Sequence, residues 1–280
     1  MNIKKYISNP KEKLIEYNEL YNRCFDNYKY NTLYLDWLYN QNPEGKFVGI
    51  DFLDNEKLIG QVGGIPHEFI FKDKKVKFLI SVNVCVDPKY QGRWIFSKML
   101  LEFERIAKYS NFDGIIGIAN KAASPFWQRS IKLKKLKKLD VYLGYGQLDL
   151  KNFKKTNYYF YTMWNKSKLE WRINNPLYKT FIQSQDGNYS VYSKTKYKFV
   201  NAYSPLIFLK DEVKLIKLEK NYKPIVYVGL VKDFKKSKFL IKFPDKLKPS
   251  PLNFLYKFFR SDISLDIEKI FFTYLDFDVF

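Results

Sequence analysis

The segment from Lys77 to Ala119 constrains the fold more than any other part of the chain. Lys77 to Val86 reads as a long strand, with Val82, Val84 and Val86 on one face and Ser81, Asn83 and Cys85 on the other. A turn, DPKYQGRW, follows it. Beyond the turn Phe96, Met99, Leu100, Phe103, Ile106 and Ala107 recur at helical spacing, so a helix packs one face on a sheet. Asp113 to Ala119 is then a short apolar run of the kind that forms a buried strand. Strand, helix and buried strand together imply a parallel crossover. Upstream, Lys46 to Leu53, Lys57 to Gly63 and Glu68 to Phe71 read as strands, with turns at Asp54-Asn55 and Lys72 to Lys75, an antiparallel meander. The expected fold class is α/β (α+β): a mixed, mostly antiparallel sheet flanked by helices. Two of those helices precede the meander, over Pro10 to Cys24 and Leu33 to Tyr39, and the cluster Asn42, Pro43, Glu44, Gly45 ends the second.

Length and composition narrow the class. A chain of 280 residues buries a full core as one large domain or two small ones. Its hydrophobic content of 46% argues against disorder. No apolar run approaches the roughly 20 residues that span a bilayer, and no charged-apolar-small leader opens the sequence. The expectation is a soluble cytoplasmic protein without membrane insertion, a monomer or homodimer. Cys24 and Cys85 have no CxxC or CxxH companion, which argues for reduced thiols and no metal site. There is no GxxxxGK[ST], HExxH or GxSxG.

The formal charge of +20 raises nucleic acid as a partner. Of 49 Lys and Arg and 29 Asp and Glu, 17 and 15 lie up to Asn120, and the remaining 32 and 14 follow, so the excess is C-terminal. Lys, Asn, Tyr, Phe and Ile are abundant together throughout, which a coding bias towards AT-rich codons explains. The run Ile131 to Asp140, IKLKKLKKLD, spaces its leucines by threes and reads as the solvated face of a strand or short helix. Attraction of an acidic or phosphorylated substrate is its next use, ahead of nucleic-acid binding.

From about Leu33 to Tyr145 the order of elements resembles the GNAT superfamily of acyl-CoA N-acyltransferases. In that family the turn reads R/Q-x-x-G-x-G/A. Here Gln91, Gly92, Arg93, Trp94, Ile95 and Phe96 occupy it, with aromatic residues at both later small positions. The resemblance implies that backbone N–H groups from Gln91 to Ser97 hold the pyrophosphate of acetyl-CoA or another acyl-CoA at a helix N-terminus. It also implies that Val84 to Val86 offer backbone groups to pantetheine, and that the gap to the strand Ile115 to Ala119 forms the acyl slot. Ile118 to Arg129, IANKAASPFWQR, resembles the family's strand ending in Asn120 and the helix after it. Trp127 stands where a Tyr often serves as general acid, and it cannot donate a usable proton. Tyr142 and Tyr145 on the following strand are substitutes, and coenzyme A thiolate also leaves without help. His67 and Glu68 are rival candidates for the base; as neighbours on a strand they point to opposite faces. Asn83 is a candidate to orient an amine or water.

A second pattern covers the whole chain. LDWLYNQNP at Leu35 to Pro43 recurs as LEWRINNP at Leu169 to Pro176, each before a strand-rich segment, which suggests duplication. The expected domains are 1–150, a GNAT-like catalytic domain, and 151–280, a degenerate GNAT-like domain whose best helix, Asp211 to Glu219, lacks a phosphate turn. Tandem arrangements occur in GNAT relatives from surface-polysaccharide clusters and in peptidoglycan-bridge aminoacyltransferases, so the resemblance implies a small-molecule amine acceptor, an amino sugar or nucleotide-linked amino sugar. Trp94, Phe96 and Trp127 equally suit a catalytically inactive binding module. The apolar C-terminus YLDFDVF predicts an ordered strand over Tyr274 to Phe280 with Asp276 and Asp278 opposite Phe277, and its terminal carboxylate is a further candidate for the cleft.

Overall fold

The computed structural model describes residues 3–25, 31–92, 94–145, 155, 158–185, 188–195, 199–210, 224–232, 240–248, 250–260 and 263–277. In chain order these form β1 (Ile3–Ile7), α1 (Leu14–Cys24), α2 (Thr32–Asn40), β2 (Val48–Asp54), β3 (Lys57–Phe71), β4 (Lys74–Ser81), β5 (Cys85–Val86), α3 (Ile95–Tyr109), β6 (Gly114–Ala119), α4 (Ser124–Ser130) and β7 (Lys134–Lys138). Then come β8 (Asp140–Tyr145), β9 (Phe160–Tyr161), α5 (Lys166–Ile173), β10 (Thr180–Gln185), β11 (Asn188–Lys194), β12 (Asn201–Pro205), β13 (Pro224–Leu230), β14 (Leu240–Lys242), β15 (Asn253–Phe258) and β16 (Ile270–Thr273). They divide into two units. One comprises Met1–His67, Lys77–Leu136 and Leu252–Ile263; the other comprises Glu68–Val76, Lys137–Pro251 and Ser264–Phe280. The units are therefore not the contiguous 1–150 and 151–280. β15, late in the sequence, pairs along the whole of β6, and β8, from before residue 150, pairs along its whole length with β13.

In the first unit β2 lies antiparallel to β1 and β3, β4 runs parallel to β6 at Phe78–Ile80, and β6 is antiparallel to β15. This is the expected mixed, mostly antiparallel sheet with its crossover helix. The runs Lys57 to Gly63 and Glu68 to Phe71 join into one strand, β3, despite Gly63, Gly64 and Pro66. Its middle is buried on both faces, so neighbouring side chains fill what the glycines leave open. At Gly63 a Cβ would stand 2.1 Å from the Phe47 ring, and the strand accepts no larger residue there. Side chains alternate along β3: Val62 joins Met99, Leu100 and Phe103 of α3 in the core, whereas Gln61 faces Tyr21 of α1. Helices therefore cover both faces. Each large apolar side chain buried here contributes roughly 1.5–3 kcal/mol.

In the second unit α5 precedes the antiparallel β10–β11–β12, β12 is parallel to β13, and β13 is antiparallel to β8. That sequence of helix, three strands, parallel neighbour and antiparallel neighbour repeats the first unit's α2, β2–β3–β4, β6 and β15. The two similar peptides also fold alike. The Asn31 and Asn165 side chains accept from the N–H groups of Tyr34 and Lys168, capping α2 and α5. Beyond each helix an Asn-Pro pair makes the same turn: Glu44 N–H donates to Asn42 Oδ1 at 3.0 Å, and Leu177 N–H donates to Asn175 Oδ1 at 2.9 Å.

The C-terminal segment departs from expectation. The strand is β16, ending at Thr273, and a tight 3-10 turn covers Tyr274–Asp276. Asp276 is buried because its carboxylate accepts from Thr162 Oγ1 at 2.5 Å and from Thr273 N–H at 2.6 Å. Asp278 to Phe280, with the terminal carboxylate, and the stretch Asp211 to Glu219 lie outside the described residues.

Candidate functional site

The continuous strand expected over Lys77 to Val86 is interrupted. Val82 N–H donates to Gly63 O at 3.1 Å, and Cys85 then pairs with Gln61, so three residues advance on this side for two on β3. The extra residue is a β-bulge, and Asn83 sits in it at φ 50°, a left-handed conformation that Asn tolerates better than most residues. The bulge overturns the simple alternation expected of Val82, Val84 and Val86. It also parts the sheet. β4 and β6 are paired only as far as Ile80 and Ile116, β5 turns to β3, and among the described residues no ladder joins β5 to β6. Between β5 and the Gly117–Ala119 end of β6 the first unit thus has an open seam of backbone edges.

The loop after β5 leads from that seam into α3. Asp87 accepts from Lys89 N–H at 3.1 Å and from Arg23 Nε at 2.7 Å, and Gln91 Nε2 donates to Val86 O at 3.2 Å. Gly92 has φ 76° and Trp94 has φ 59°. Trp94 stands at the position that is a small residue in the family pattern, and it keeps the glycine-like backbone while its side chain, 78% exposed, points away from the protein. No side chain caps α3, so its first N–H groups, from Ile95, Phe96 and Ser97, have no helical acceptor. Phe96 packs edge-on against Phe126 at 5.4 Å. Arg93 lies outside the described residues.

Burial raises the Asp87 carboxyl, but the Arg23 and Lys89 hydrogen bonds and the Arg23 charge outweigh it and hold the group below its ordinary 3.8. A carboxyl lowered on folding adds stability above its unfolded value and loses it as the pH falls through the folded value. Arg23→Met should therefore cost about 2 kcal/mol at neutral pH. Urea melts should show the gap to wild type shrinking below pH 3.8; a gap that does not change with pH would count against this role.

The remaining candidates separate. Asn120 Oδ1 accepts from Ala123 N–H at 2.8 Å and so starts the turn into α4. Trp127 is buried edge-on to Phe103 at 6.1 Å, inside the core beneath α3. His67 is buried with Nδ1 3.1 Å from Glu44 Oε2, four residues beyond Gly63 and so about 13 Å along β3 from the bulge. Glu68 pairs with Lys75 at 3.0 Å. Tyr145 ends β8 in the second unit, 59% exposed, and Tyr142 on the same strand is buried, its phenol pushed up by burial and by Asp140. Asn83 lies in the bulge, Val86 in β5 with Val84 just before it, Gln91, Gly92 and Trp94 in the loop, and Ile95 to Ser97 in the first turn of α3.

A hydrogen-bonded group with no motif in the sequence lies behind Asn83. Its Nδ2 donates to Tyr39 OH at 2.9 Å; Tyr39 OH and Tyr21 OH are 2.7 Å apart; Tyr21 OH bonds Gln61 Oε1; and Gln61 Nε2 donates to Asp51 Oδ1 at 3.0 Å. Ser8 Oγ and Tyr17 OH also donate to Asp51, at 2.5 and 2.9 Å. Burial raises the Asp51 carboxyl against these bonds and pushes the Tyr39 phenol well above its ordinary range, so Tyr39 stays protonated. The available signal was a single polar residue in each of two apolar strands, Asp51 in VGIDFL and Gln61 in LIGQVGG. Among the described residues no group of three or more His, Cys, Asp or Glu could hold a metal ion, and no helix is long and apolar enough to cross a membrane.

Comparison with known proteins bears on the sequence and the fold. Residues 5–123 match the family described as "Acetyltransferase (GNAT) domain". A protein of Amsacta moorei entomopoxvirus named "Putative glycylpeptide N-tetradecanoyltransferase" is 28% identical over 141 residues. That match covers 50% of this chain and 44% of the viral protein, so the chain spans less than half of that relative. A GCN5-related N-acetyltransferase from Anabaena variabilis ATCC 29413 aligns with TM-score 0.59 and 9% identity, over 92% of this chain and 73% of its own. A conserved Enterococcus faecalis V583 protein described as "Probable N-Acyltransferase" aligns with TM-score 0.55 and 13% identity over the same shares. The likeness to the two solved structures is one of fold. Residues 5–123 thus match the GNAT acetyltransferase domain, and the chain has the fold of GCN5-related N-acyltransferases.

Proposed function

We propose that the protein transfers an acyl group from acetyl-CoA, or another acyl-CoA, to a primary amine. The observation that carries this reading is the glycine-like backbone at both Gly92 and Trp94, in front of an uncapped helix and beside an open seam between β5 and β6. In this reading the pyrophosphate takes the N–H groups of the loop and first helical turn. Pantetheine runs along the seam and brings the thioester to the bulge at Asn83. The amine nitrogen attacks the acyl carbon, the carbon–sulfur bond breaks, and coenzyme A leaves as a thiolate. Neither acid nor base is assigned to the first unit's buried pair: His67 is engaged with Glu44 inside the core, so the amine proton passes to water. Trp127 shapes the core under the slot and supplies no proton.

The second unit is read as a degenerate repeat of the first. Its support is the shared capping and Asx turn of the two similar peptides and the repeated strand order. The chain then uses one acyl-CoA. The acceptor we favour is an amino sugar linked to a nucleoside diphosphate, because the charge excess after Asn120, 32 basic against 14 acidic residues, suits an anionic substrate. The viral relative's name favours a second reading, an N-terminal glycine as acceptor and a 14-carbon acyl chain as donor.

Mass spectrometry of reactions containing acetyl-CoA or tetradecanoyl-CoA, with either a nucleoside-diphosphate-linked 2-amino sugar or a glycyl peptide, separates these readings. The expected product is the N-acetylated amino sugar. Tetradecanoylated peptide would establish the second reading instead. Acyl-CoA binding without any product would identify an inactive binding module.

A further inference from the structure

We propose that Asn83 presents its amide oxygen to the attacking amine, and that a one-way hydrogen-bond chain through Tyr39, Tyr21 and Gln61 to Asp51 holds it in that orientation. This rests on the N-acyltransferase reading and adds residues to its acceptor side.

The polarity of the chain follows from counting donors. Gln61 places its NH2 on Asp51 Oδ1, so its own oxygen faces Tyr21 and accepts that hydroxyl's single proton. Tyr21 oxygen is then an acceptor for Tyr39, which spends its only proton there. Tyr39 oxygen has only lone pairs left to offer, so it must receive an N–H from Asn83, and the observed contact is with Nδ2. Each link forces the next. The result at the far end is an amide whose oxygen is turned away from Tyr39.

Burial makes the arrangement costly to disturb. Asp51, Tyr21 and Tyr39 are 0% exposed and Gln61 is 1% exposed, whereas Asn83 is half-buried at the bulge. A buried donor without its acceptor forfeits the bond and is left with an uncompensated desolvation penalty. If any link is removed, the Asn83 amide is free to turn and offer its NH2, a donor, to the amine's own N–H groups. With the oxygen in place, one amine N–H bonds to Asn83, the lone pair points at the acyl carbon, and the positive charge that develops on nitrogen meets a carbonyl dipole. Asn83 removes no proton. Asp51, Gln61, Tyr21 and Tyr39 are positioning residues, since they act only through Asn83.

A purely conformational role for Asn83 is the competing explanation, because its left-handed backbone alone suits Asn or Gly. Asn83→Gly separates the two. Glycine keeps the bulge and removes the amide; Tyr39→Phe keeps the packing and breaks the chain without touching substrate. Both variants are assayed with the amine that the wild-type protein acylates, together with acetyl-CoA affinity by calorimetry. The expected result is a loss of about tenfold or more in kcat/KM for the amine in each variant. Acetyl-CoA affinity should stay within about twofold, whereas general damage to the fold would lower it together with kcat/KM. Wild-type kcat/KM in Asn83→Gly would overturn the assignment of Asn83, and wild-type kcat/KM in Tyr39→Phe would overturn the chain. A wild-type protein that acylates no amine would overturn the N-acyltransferase reading and this assignment with it.

Discussion

Replacing Gly92 with proline is expected to weaken acyl-CoA binding about a hundredfold in a protein that still folds, with a lowered unfolding midpoint. Gly92 has φ 76°, and proline holds φ near −65°, so the peptide planes on either side must rotate. One N–H disappears and its neighbours turn away from the phosphate position. Charge-assisted hydrogen bonds of this kind contribute about 1.5–3 kcal/mol each, so losing one and misdirecting another accounts for the expected factor. A Cβ at Gly92 would meet nothing within 4 Å, so the stability cost comes from the backbone alone, whose positive φ proline cannot adopt. Gly92→Ala is the control. It retains the N–H and costs roughly 1–2 kcal/mol of backbone strain, so it should lower stability slightly and keep most of the affinity. Calorimetric titration with acetyl-CoA reads both variants, and an unchanged affinity in Gly92→Pro would remove the loop from the cofactor site.

The second large effect is expected at the other end of the chain. Deleting Leu275–Phe280 removes two buried apolar side chains, Leu275 and Phe277, and the buried Asp276 carboxylate that holds Thr162 and the Thr273 backbone. Apolar burial alone is worth roughly 1.5–3 kcal/mol per side chain, and orphaned buried donors add to the loss, for a total of about 5 kcal/mol or more. That is comparable to the whole stability of a small domain. Circular dichroism and a urea melt should show the second unit unfolded or melting at much lower denaturant. A truncated protein with the full-length midpoint would contradict the packing described here.

These two sites differ in how far they could be read from residues alone. The loop was legible because Gln91-Gly92 lies between an apolar strand and an amphipathic helix, and periodicity marks both. That Trp94 would adopt the glycine-like backbone was not legible, since propensity disfavours it and only the turn's closure requires it. The bulge was hidden for a similar reason: VNVCV alternates perfectly, and nothing local to it reports that Gln61, rather than Gly60 or Val62, will face Cys85. The duplicated peptides were visible as LDWLYNQNP and LEWRINNP, but the exchange of β8 and β15 between units depends on long-range pairing that no periodicity encodes. Asp276 illustrates the limit at the C-terminus. Alternation put it on an outer face, and a capping turn with Thr273 put it inside. The chain from Asp51 to Asn83 was the least legible, because its five members come from α1, α2, β2, β3 and the bulge.

The most direct test of the account is calorimetric titration of the whole protein with acetyl-CoA, followed by a crystal structure of the complex. One equivalent should bind per chain, with the pyrophosphate on the backbone N–H groups of Gly92 and of Ile95 to Ser97 and the thioester beside Asn83. Two equivalents per chain, no binding, or a cofactor seated away from that loop would contradict it.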